Sequence, residues 1–150
     1  MAAVQLMKTS ILEYLIGYFA HLHPRPMLLA QADKRELVKL CREKLDPMIQ
    51  STPELRRIMG RAGKRDPDQT LATRKFPGGA LRLGEASTAA QTFSMIPAAV
   101  VLLDELDKWR MPASSDPVEM AKRRMTIYQE TGQDLVVSVC SPELRGESLI

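Results

Sequence analysis

An α/β domain built on a parallel sheet is the fold class that the sequence predicts. Residues 98–103 form a short apolar run, and residues 135–139 form a second one with a single serine. Runs of this length and composition are typical of strands that are buried on both faces. Segments with helical periodicity lie between the apolar runs, and this alternation indicates a parallel sheet. The 150 residues are enough for one domain with its own core.

The first predicted helix covers residues 9–22. Its apolar residues recur at helical spacing, with Tyr18 widening the apolar face: Ile11, Leu12, Leu15, Ile16, Phe19 and Leu22. Pro24 and Pro26 end the helix, because proline has no N–H to continue it. The apolar run is too short to span a bilayer, and Glu13 interrupts it. We therefore expect a cytoplasmic chain that makes no use of a membrane.

A strand at 27–30 and a helix over 33–45 follow. The helix places four apolar residues on one face, namely Leu37, Leu40, Cys41 and Leu45. A turn or short helix is predicted over 47–59, and the polar residues 60–75 are predicted to form a loop.

Next along the chain, Pro77-Gly78-Gly79 is a strong turn signal, and alternation over 80–84 predicts a short strand. Residues 85–96 are small and polar, which indicates a loop.

The last predicted helix covers residues 117–131. Asp116 is a good N-cap, and Pro117 suits the first helical position. The loop before it, 107–116, contains Trp109. This side chain could stack on a nucleic-acid base, but packing beneath its own loop is favoured because tryptophan buries so much area.

The composition excludes several classes of protein. Hydrophobic residues make up 45% and charged residues 26%, which is typical of a globular domain, and the net charge of +3 does not require a nucleic-acid partner. Cys41 and Cys140 lie far apart without metal-ligand spacing, as expected for free thiols in a reducing compartment. No Ser-His-Asp or Cys-His spacing indicates hydrolase chemistry.

Two adjacent carboxylates, Asp104 and Glu105, end the apolar run at 98–103. Unpaired charges cannot remain in the core, so the strand must end there. Open α/β sheets bind ligands at the carboxyl ends of their strands. The pattern is that of a Walker B motif, in which the first carboxylate holds the Mg²⁺ of a nucleotide and the second polarises the attacking water. The alternative is an acidic turn without a catalytic role.

Lys8 and Thr9 have the type and position of the last two residues of a phosphate-binding loop. The lysine would contact the β- and γ-phosphates of ATP, and the threonine hydroxyl would ligate Mg²⁺. Met7 replaces the glycine expected before them, and the earlier glycine-rich turn is absent. The alternative is a solvated first helical turn. We therefore predict a three-layer sheet of the P-loop NTPase type that is truncated at its N-terminal P-loop strand.

Several stretches of the chain occur in the order found in one protein family. In the first half of the chain they are Lys8-Thr9 with 16–19, then 26–31, then 44–49 with 52–56. In the second half they are 76–83, 103–109, 116–118 with Ala121 and Arg124, and 139–142 with Gly146 and Ser148. Together they resemble the ATPase domain of the tailed-phage terminase large subunit, of the lambda-like DNA-packaging class. Each match is modest, but jointly they cover nearly the whole chain, and agreement across levels is the criterion for accepting such a resemblance.

The resemblance implies an ATP-driven DNA translocase that assembles as a ring on the portal of an empty capsid. It implies that Lys8 and Thr9 contact phosphate and magnesium. It also implies that Asp104 assists the metal and that Glu105 orients the water. Ser141 would lie on the segment that couples hydrolysis to motion. The implied cofactors are ATP and Mg²⁺, and the implied partners are double-stranded DNA, the terminase small subunit and the portal, in the host cytoplasm.

The chain also departs from the family pattern. Met7 replaces a glycine, and residues 93–97 lack a cation. No counterpart of the family's nuclease domain is found, so residues 1–150 are expected to be a partial ATPase domain from a split or decayed reading frame. Two functions stay open: an ATP-hydrolysing motor domain, or a catalytically silent fragment that persists as a DNA- or partner-binding remnant.

A basic stretch between residues 56 and 75 is a candidate DNA contact. It holds seven cations against two carboxylates, a net charge of +5, and the candidates are Arg56, Arg57, Arg61, Lys64 and Arg65, with Arg74 and Lys75 beyond them. Such a loop would bind phosphates without reading the base sequence. A solvated loop without a DNA contact has the same composition, and the sequence favours neither interpretation.

Overall fold

A five-stranded sheet forms the centre of the computed structural model, which describes residues 2–60, 70, 72–85, 97–109, 116–125, 128 and 135–138. The strands are β1 (Met27–Gln31), β2 (Thr73–Phe76), β3 (Gly79–Glu85), β4 (Val100–Leu103) and β5 (Leu135–Ser138). Their order is β2-β3-β1-β4-β5. Strands β3, β1, β4 and β5 run parallel, and β2 pairs antiparallel with β3.

The helices are α1 (Ala2–His21), α2 (Lys34–Leu40), α3 (Asp46–Ser51), α4 (Pro53–Met59) and α5 (Pro117–Arg124). A π-helical turn, Cys41–Leu45, joins α2 to α3, and a 3₁₀ turn, Leu106–Lys108, follows β4. Asp116 caps α5, because its side chain accepts hydrogen bonds from the N–H groups of Val118 and Glu119. Most of the predicted helix beyond Met125 lies outside the described residues.

The sheet is covered on both faces, which confirms the predicted three-layer α/β fold. Met27 and Leu29 of β1 join the core under α1 to α4, whereas Leu28 and Ala30 point to the opposite face, where they pack with α5 and Trp109. Every residue of β1 and β4 is buried, as the apolar runs predict. The predicted parallel arrangement of the strands at 27–30, 98–103 and 135–139 is also confirmed.

The first helix differs from its prediction. It begins at Ala2 instead of residue 9, and only one of its two apolar stripes is buried. The buried stripe consists of Leu12, Ile16, Phe19 and Ala20. Ile11 and Leu22, which were predicted to share the buried face, are 50% and 61% exposed. A helix can turn only one stripe toward a single sheet, so the second stripe faces outward.

The helix predicted over 33–45 continues through a π-helical turn into α3. The N–H of Asp46 donates to the carbonyl of Cys41, five residues earlier. Pro47 explains this winding, because its ring would clash with the carbonyl four residues before it in a regular α-helix. The extra residue in the turn relieves that clash.

The loop predicted over 60–75 is wrong for residues 73–75, which form β2 together with Phe76. This strand and β3 form a hairpin around Pro77 and Gly78, and Gly78 has the positive φ of 87° that such a turn favours at its third position. Because β2 contains polar residues, its composition does not predict a strand. One of them, Arg74, is 1% exposed and forms an ion pair of 3.0 Å with Asp46 of α3.

Within the part of the chain that the structure describes, no helix has the length and apolar character needed to cross a membrane.

Candidate functional site

A cleft of about 250 Å³ lies at the carboxyl ends of β1 and β4. Because these neighbouring strands are parallel, their last residues emerge at the same edge of the sheet. The cleft is lined by Thr9, Gln31, Glu36, Lys39, Leu40, Glu43, Lys44, Asp104 and Glu105. The structure therefore brings together three residues that the sequence singled out, Thr9, Asp104 and Glu105, although they lie far apart along the chain.

Asp104 is held rigidly at the floor of this cleft. It is 4% exposed, its N–H donates to the carbonyl of Ala30 over 3.0 Å, and its Oδ2 accepts a hydrogen bond of 2.6 Å from Gln31 Nε2. Burial raises the pKa of the Asp104 carboxyl, and the neighbouring charge of Glu105 raises it further, while the hydrogen bond from Gln31 opposes the shift. The charged form is thus costly to the fold, and a bound cation would offset that cost.

Trp109 supports the Asp104 turn from below. Its Nε1 donates to the backbone carbonyl of Asp104 over 3.0 Å, and its ring is 7% exposed in the core beneath α5. The favoured interpretation, that Trp109 packs under its own loop, is confirmed. Stacking on a base would require this ring to be accessible.

Glu105 has a left-handed backbone, with φ 52° and ψ 45°, which is unfavourable for a side chain with a Cβ. Its side chain is about one-third exposed and accepts a 2.6 Å hydrogen bond from Lys108 Nζ. Strained residues of this kind cluster at functional sites. The left-handed turn separates the two carboxylates, leaving Asp104 buried and Glu105 at the mouth of the cleft.

Thr9 and Lys8 lie within α1 and not at its start. Lys8 is the seventh residue of a helix that begins at Ala2, and its side chain lies outside what the structure describes. Only the first four N–H groups of a helix are free, so those of Lys8 and Thr9 are used within α1. Lys8 and Thr9 therefore do not lie in the first helical turn, which was the alternative considered for them, and they do not lie in a loop.

Gln31, Lys39 and Lys44 line the cleft but were not identified as site residues from the sequence. Gln31 could have been noticed, because it is a polar residue at the end of a buried strand. Lys39 and Lys44 are five residues apart and would diverge on a regular α-helix. The π-helical turn that begins after Leu40 and contains Lys44 brings residues of this spacing to one side.

The charge of the cleft favours a divalent cation over a bare anion. Its lining holds four carboxylates, from Glu36, Glu43, Asp104 and Glu105, and two lysines. Carboxylate, hydroxyl and carboxamide oxygens are the ligands that Mg²⁺ prefers, directly or through its waters. The donor set therefore fits a magnesium ion accompanied by phosphate, which the lysines would contact.

Other predicted site residues lie away from this cleft or outside the described residues. Ser141 is outside them, but Ser138 of β5 pairs with Leu103, so the chain leaves β5 at the same edge as Asp104. Arg56 and Arg57 are exposed at the end of α4, whereas Arg61, Lys64 and Arg65 are outside the described residues.

Two further residues of the sequence analysis have structural roles. Arg74 was counted in the basic stretch, but it is buried against Asp46 and cannot face DNA.

Cys41 is a buried free thiol, and burial raises its pKa to about 11, with Arg74 opposing the shift. A thiol in this protonated state is not a nucleophile. Cys140 lies outside the described residues.

We predict that Glu105→Gln leaves the melting temperature nearly unchanged, because a partly exposed ion pair contributes little stability. Glu105→Gly should raise it, since glycine adopts the left-handed backbone without strain. Glu119→Gln is a matched control, because Glu119 forms the same i,i+3 pair with Lys122 on an exposed helix face. Thermal unfolding followed by circular dichroism measures all three. If Glu105→Gln alone unfolds the chain, Glu105 is a structural residue.

The sequence matches the model of a known protein family. The family model described as "Phage terminase large subunit gpA, ATPase domain" matches residues 1–150. Neither the curated proteins nor the solved structures contain a match to the chain. The chain belongs to the family of phage terminase large subunit ATPase domains.

Proposed function

We propose that the cleft binds Mg²⁺–ATP and is the hydrolytic site of a DNA-packaging motor domain. The observation that carries the proposal is the placement of Asp104 and Glu105. Strand β4 delivers both to the edge of the sheet, one buried and one at the mouth of a cleft that also holds a hydroxyl and two lysines. Ligand sites of open α/β sheets occupy this position.

The residues of the cleft divide the chemistry between them. Asp104 and the hydroxyl of Thr9 would hold Mg²⁺, which neutralises phosphate charge when it is bound. Lys8, with Lys39 and Lys44, would contact the phosphate oxygens. Glu105 would accept the proton of a water molecule as its oxygen attacks the γ-phosphorus and the bond to the ADP oxygen breaks.

Glu105 must leave Lys108 to act in this way. The hydrogen bond of 2.6 Å between them holds the carboxylate at the mouth of the cleft. Ser141, which would follow β5 at the same edge, is proposed to couple hydrolysis to motion.

A second candidate function is a catalytically silent domain that binds DNA or a partner. The observation that favours it is the helical backbone of residues 2–9, which uses the N–H groups of Lys8 and Thr9 within α1 and so leaves no cradle of free N–H groups around them. Lys8 is a flexible point charge and cannot replace such a cradle. The two candidates differ in nucleotide binding, which the silent domain lacks.

We predict that the isolated chain hydrolyses ATP slowly or not at all. Losing one oriented donor typically costs ~10²–10³ in rate, and several are unavailable in α1. The assay is magnesium-dependent phosphate release, with Lys8→Ala and Glu105→Gln as variants. Robust turnover that Lys8→Ala abolishes would refute the silent domain and show that the Lys8-Thr9 segment suffices. Robust turnover that survives Glu105→Gln would contradict the role proposed for Glu105.

The proposal includes double-stranded DNA as a partner, supported by the exposed Arg56 and Arg57 at the end of α4. Reversing both charges with Arg56→Glu and Arg57→Glu should weaken DNA binding and lower its salt dependence by about two counterions. The matched control is the adjacent exposed pair on α5, Lys122→Glu with Arg123→Glu. Equal loss of binding in both double variants, measured by fluorescence anisotropy in a salt series, would indicate attraction to net charge alone.

Family membership supports the proposals for the remaining partners. We propose that the domain acts with the terminase small subunit and the portal, as a ring of copies, in the host cytoplasm. We also propose that residues 1–150 are part of the family's ATPase domain.

A further inference from the structure

We propose that Gln31 is a positioning residue of the cleft: its Nε2 holds Asp104, and its Oε1 accepts a hydrogen bond from a water ligand of a divalent cation bound beside Asp104. This inference rests on the proposed function, because it requires a cation in the cleft. It adds a residue that neither the Walker B pattern nor the phosphate-binding pattern contains.

The position of Gln31 is fixed from both sides. It is the last residue of β1, it pairs in register with Glu85 of β3, and it is 4% exposed. Next to it, the carbonyl of Ala30 accepts the N–H of Asp104 over 3.0 Å. The side chain of Gln31 therefore reaches Asp104 from a rigid strand in the middle of the sheet, and it also lines the cleft.

Only one of the two polar atoms of the Gln31 carboxamide has a hydrogen-bond partner among the described residues. Its Nε2 donates to Asp104 Oδ2 over 2.6 Å, while its buried Oε1 has no hydrogen-bond partner among the described residues. Exchanging the two amide atoms does not help, because an oxygen would then face the carboxylate of Asp104. Buried acceptors are rarely left unpaired, so this oxygen points to a donor that a ligand brings.

The chemistry of the cleft identifies that donor. Four carboxylates favour a divalent cation. Magnesium keeps several of its waters when it binds to proteins, and a water polarised by the metal is a strong hydrogen-bond donor. Asp104 is the buried carboxylate that Gln31 contacts, so Asp104 would hold the cation and the Gln31 oxygen would accept a hydrogen bond from one of its waters. A bare phosphate group would offer this acceptor only further oxygens.

The test measures Mg²⁺ binding, not hydrolysis, in three variants. Gln31→Leu removes both the donor and the acceptor. Gln31→Glu keeps acceptor oxygens but replaces the donor with a second carboxylate against Asp104. Gln50→Leu is the control, because Gln50 is partly buried and, like Gln31, donates one hydrogen bond, to the carbonyl of Gly60, but it does not line the cleft. The readout is the melting temperature of each folded chain in a titration with MgCl₂.

Relative to the wild type, the two Gln31 variants should respond to Mg²⁺ in opposite directions. Gln31→Leu should bind Mg²⁺ ~10–100-fold more weakly than the wild type, which is the usual effect of removing a group that supports a metal site. Gln31→Glu should be less stable without Mg²⁺, because two carboxylates then meet, and should gain more stability from Mg²⁺ than the wild type. Gln50→Leu should bind Mg²⁺ as the wild type does. If Gln31 had a merely structural role, the leucine and glutamate variants would not change the response to Mg²⁺ in opposite directions.

The outcomes separate this inference from the proposed function. If the wild-type chain does not respond to Mg²⁺, both fail. If the wild type responds and Gln31→Glu responds equally, only the role of Gln31 is overturned. Gln31→Glu decides the question by itself if Gln31→Leu does not fold.

Discussion

Asp46→Ala should be the most destabilising single substitution outside the apolar core, lowering the free energy of unfolding by ~3–5 kcal/mol. Arg74 is 1% exposed and pairs with Asp46 over 3.0 Å. Its Nη1 reaches only the carbonyl of Thr73, at 3.4 Å, and its Nε has no hydrogen-bond partner among the described residues. Removing Asp46 therefore leaves a buried charge without its counterion. The pair also joins β2 to α3, next to the π-helical turn that contains Lys44.

A double-mutant cycle isolates this effect. Arg74→Met should cost less than Asp46→Ala, because Asp46 is about one-third exposed and water can solvate it. Adding Arg74→Met to Asp46→Ala should recover part of the loss, since it removes the uncompensated charge. Urea unfolding gives the four free energies, and Glu119→Ala, which breaks an exposed pair, should change stability by less than about 1 kcal/mol. An Asp46→Ala variant as stable as that control would show that Arg74 finds another partner.

The sheet could be predicted from the sequence because its central strands are buried on both faces. The apolar runs around Leu28 and Val101 have no other favourable location than the middle of a parallel sheet, and the acidic pair after β4 marks where that strand ends. The turn at Pro77-Gly78 was also predictable, since the residue types specify the backbone. These signals are local, so one sequence is enough to recognise them.

The features that the sequence did not reveal depend on tertiary contacts. Strand β2 has the polar composition of a loop, and Arg74 enters the core only because Asp46 meets it there. The start of α1 was placed too late because residues 2–8 carry no distinctive signal. The contribution of Lys39 and Lys44 to one cleft depends on the π-helical turn, and Gln31 became a candidate only when β1 was placed beside β4.

Asp104→Asn should weaken the binding of Mg²⁺–ATP without lowering the stability of the fold. The variant keeps the size of the side chain but removes a charge that burial makes costly, so it should be at least as stable as the wild type. Because the pKa of Asp104 is raised in the folded chain, folding takes up protons, and the wild type loses stability as pH rises from the unfolded pKa to the folded one. Asp104→Asn should not show that loss. It should nevertheless bind Mg²⁺–ATP ~10–100-fold more weakly, because the carboxylate that we propose to hold the metal is gone.

The most direct test of the nucleotide site is a titration of the wild-type chain and Asp104→Asn with a fluorescent ATP analogue, with Mg²⁺ or with a chelator. Glu119→Gln, an exposed loss of the same charge on α5, is the control. We predict binding that depends on Mg²⁺ in the wild type and the control, and a loss of that dependence in Asp104→Asn while the fold is retained. Equal, magnesium-independent binding by all three chains, or no binding by the wild type, would contradict the assignment of this cleft as a nucleotide site.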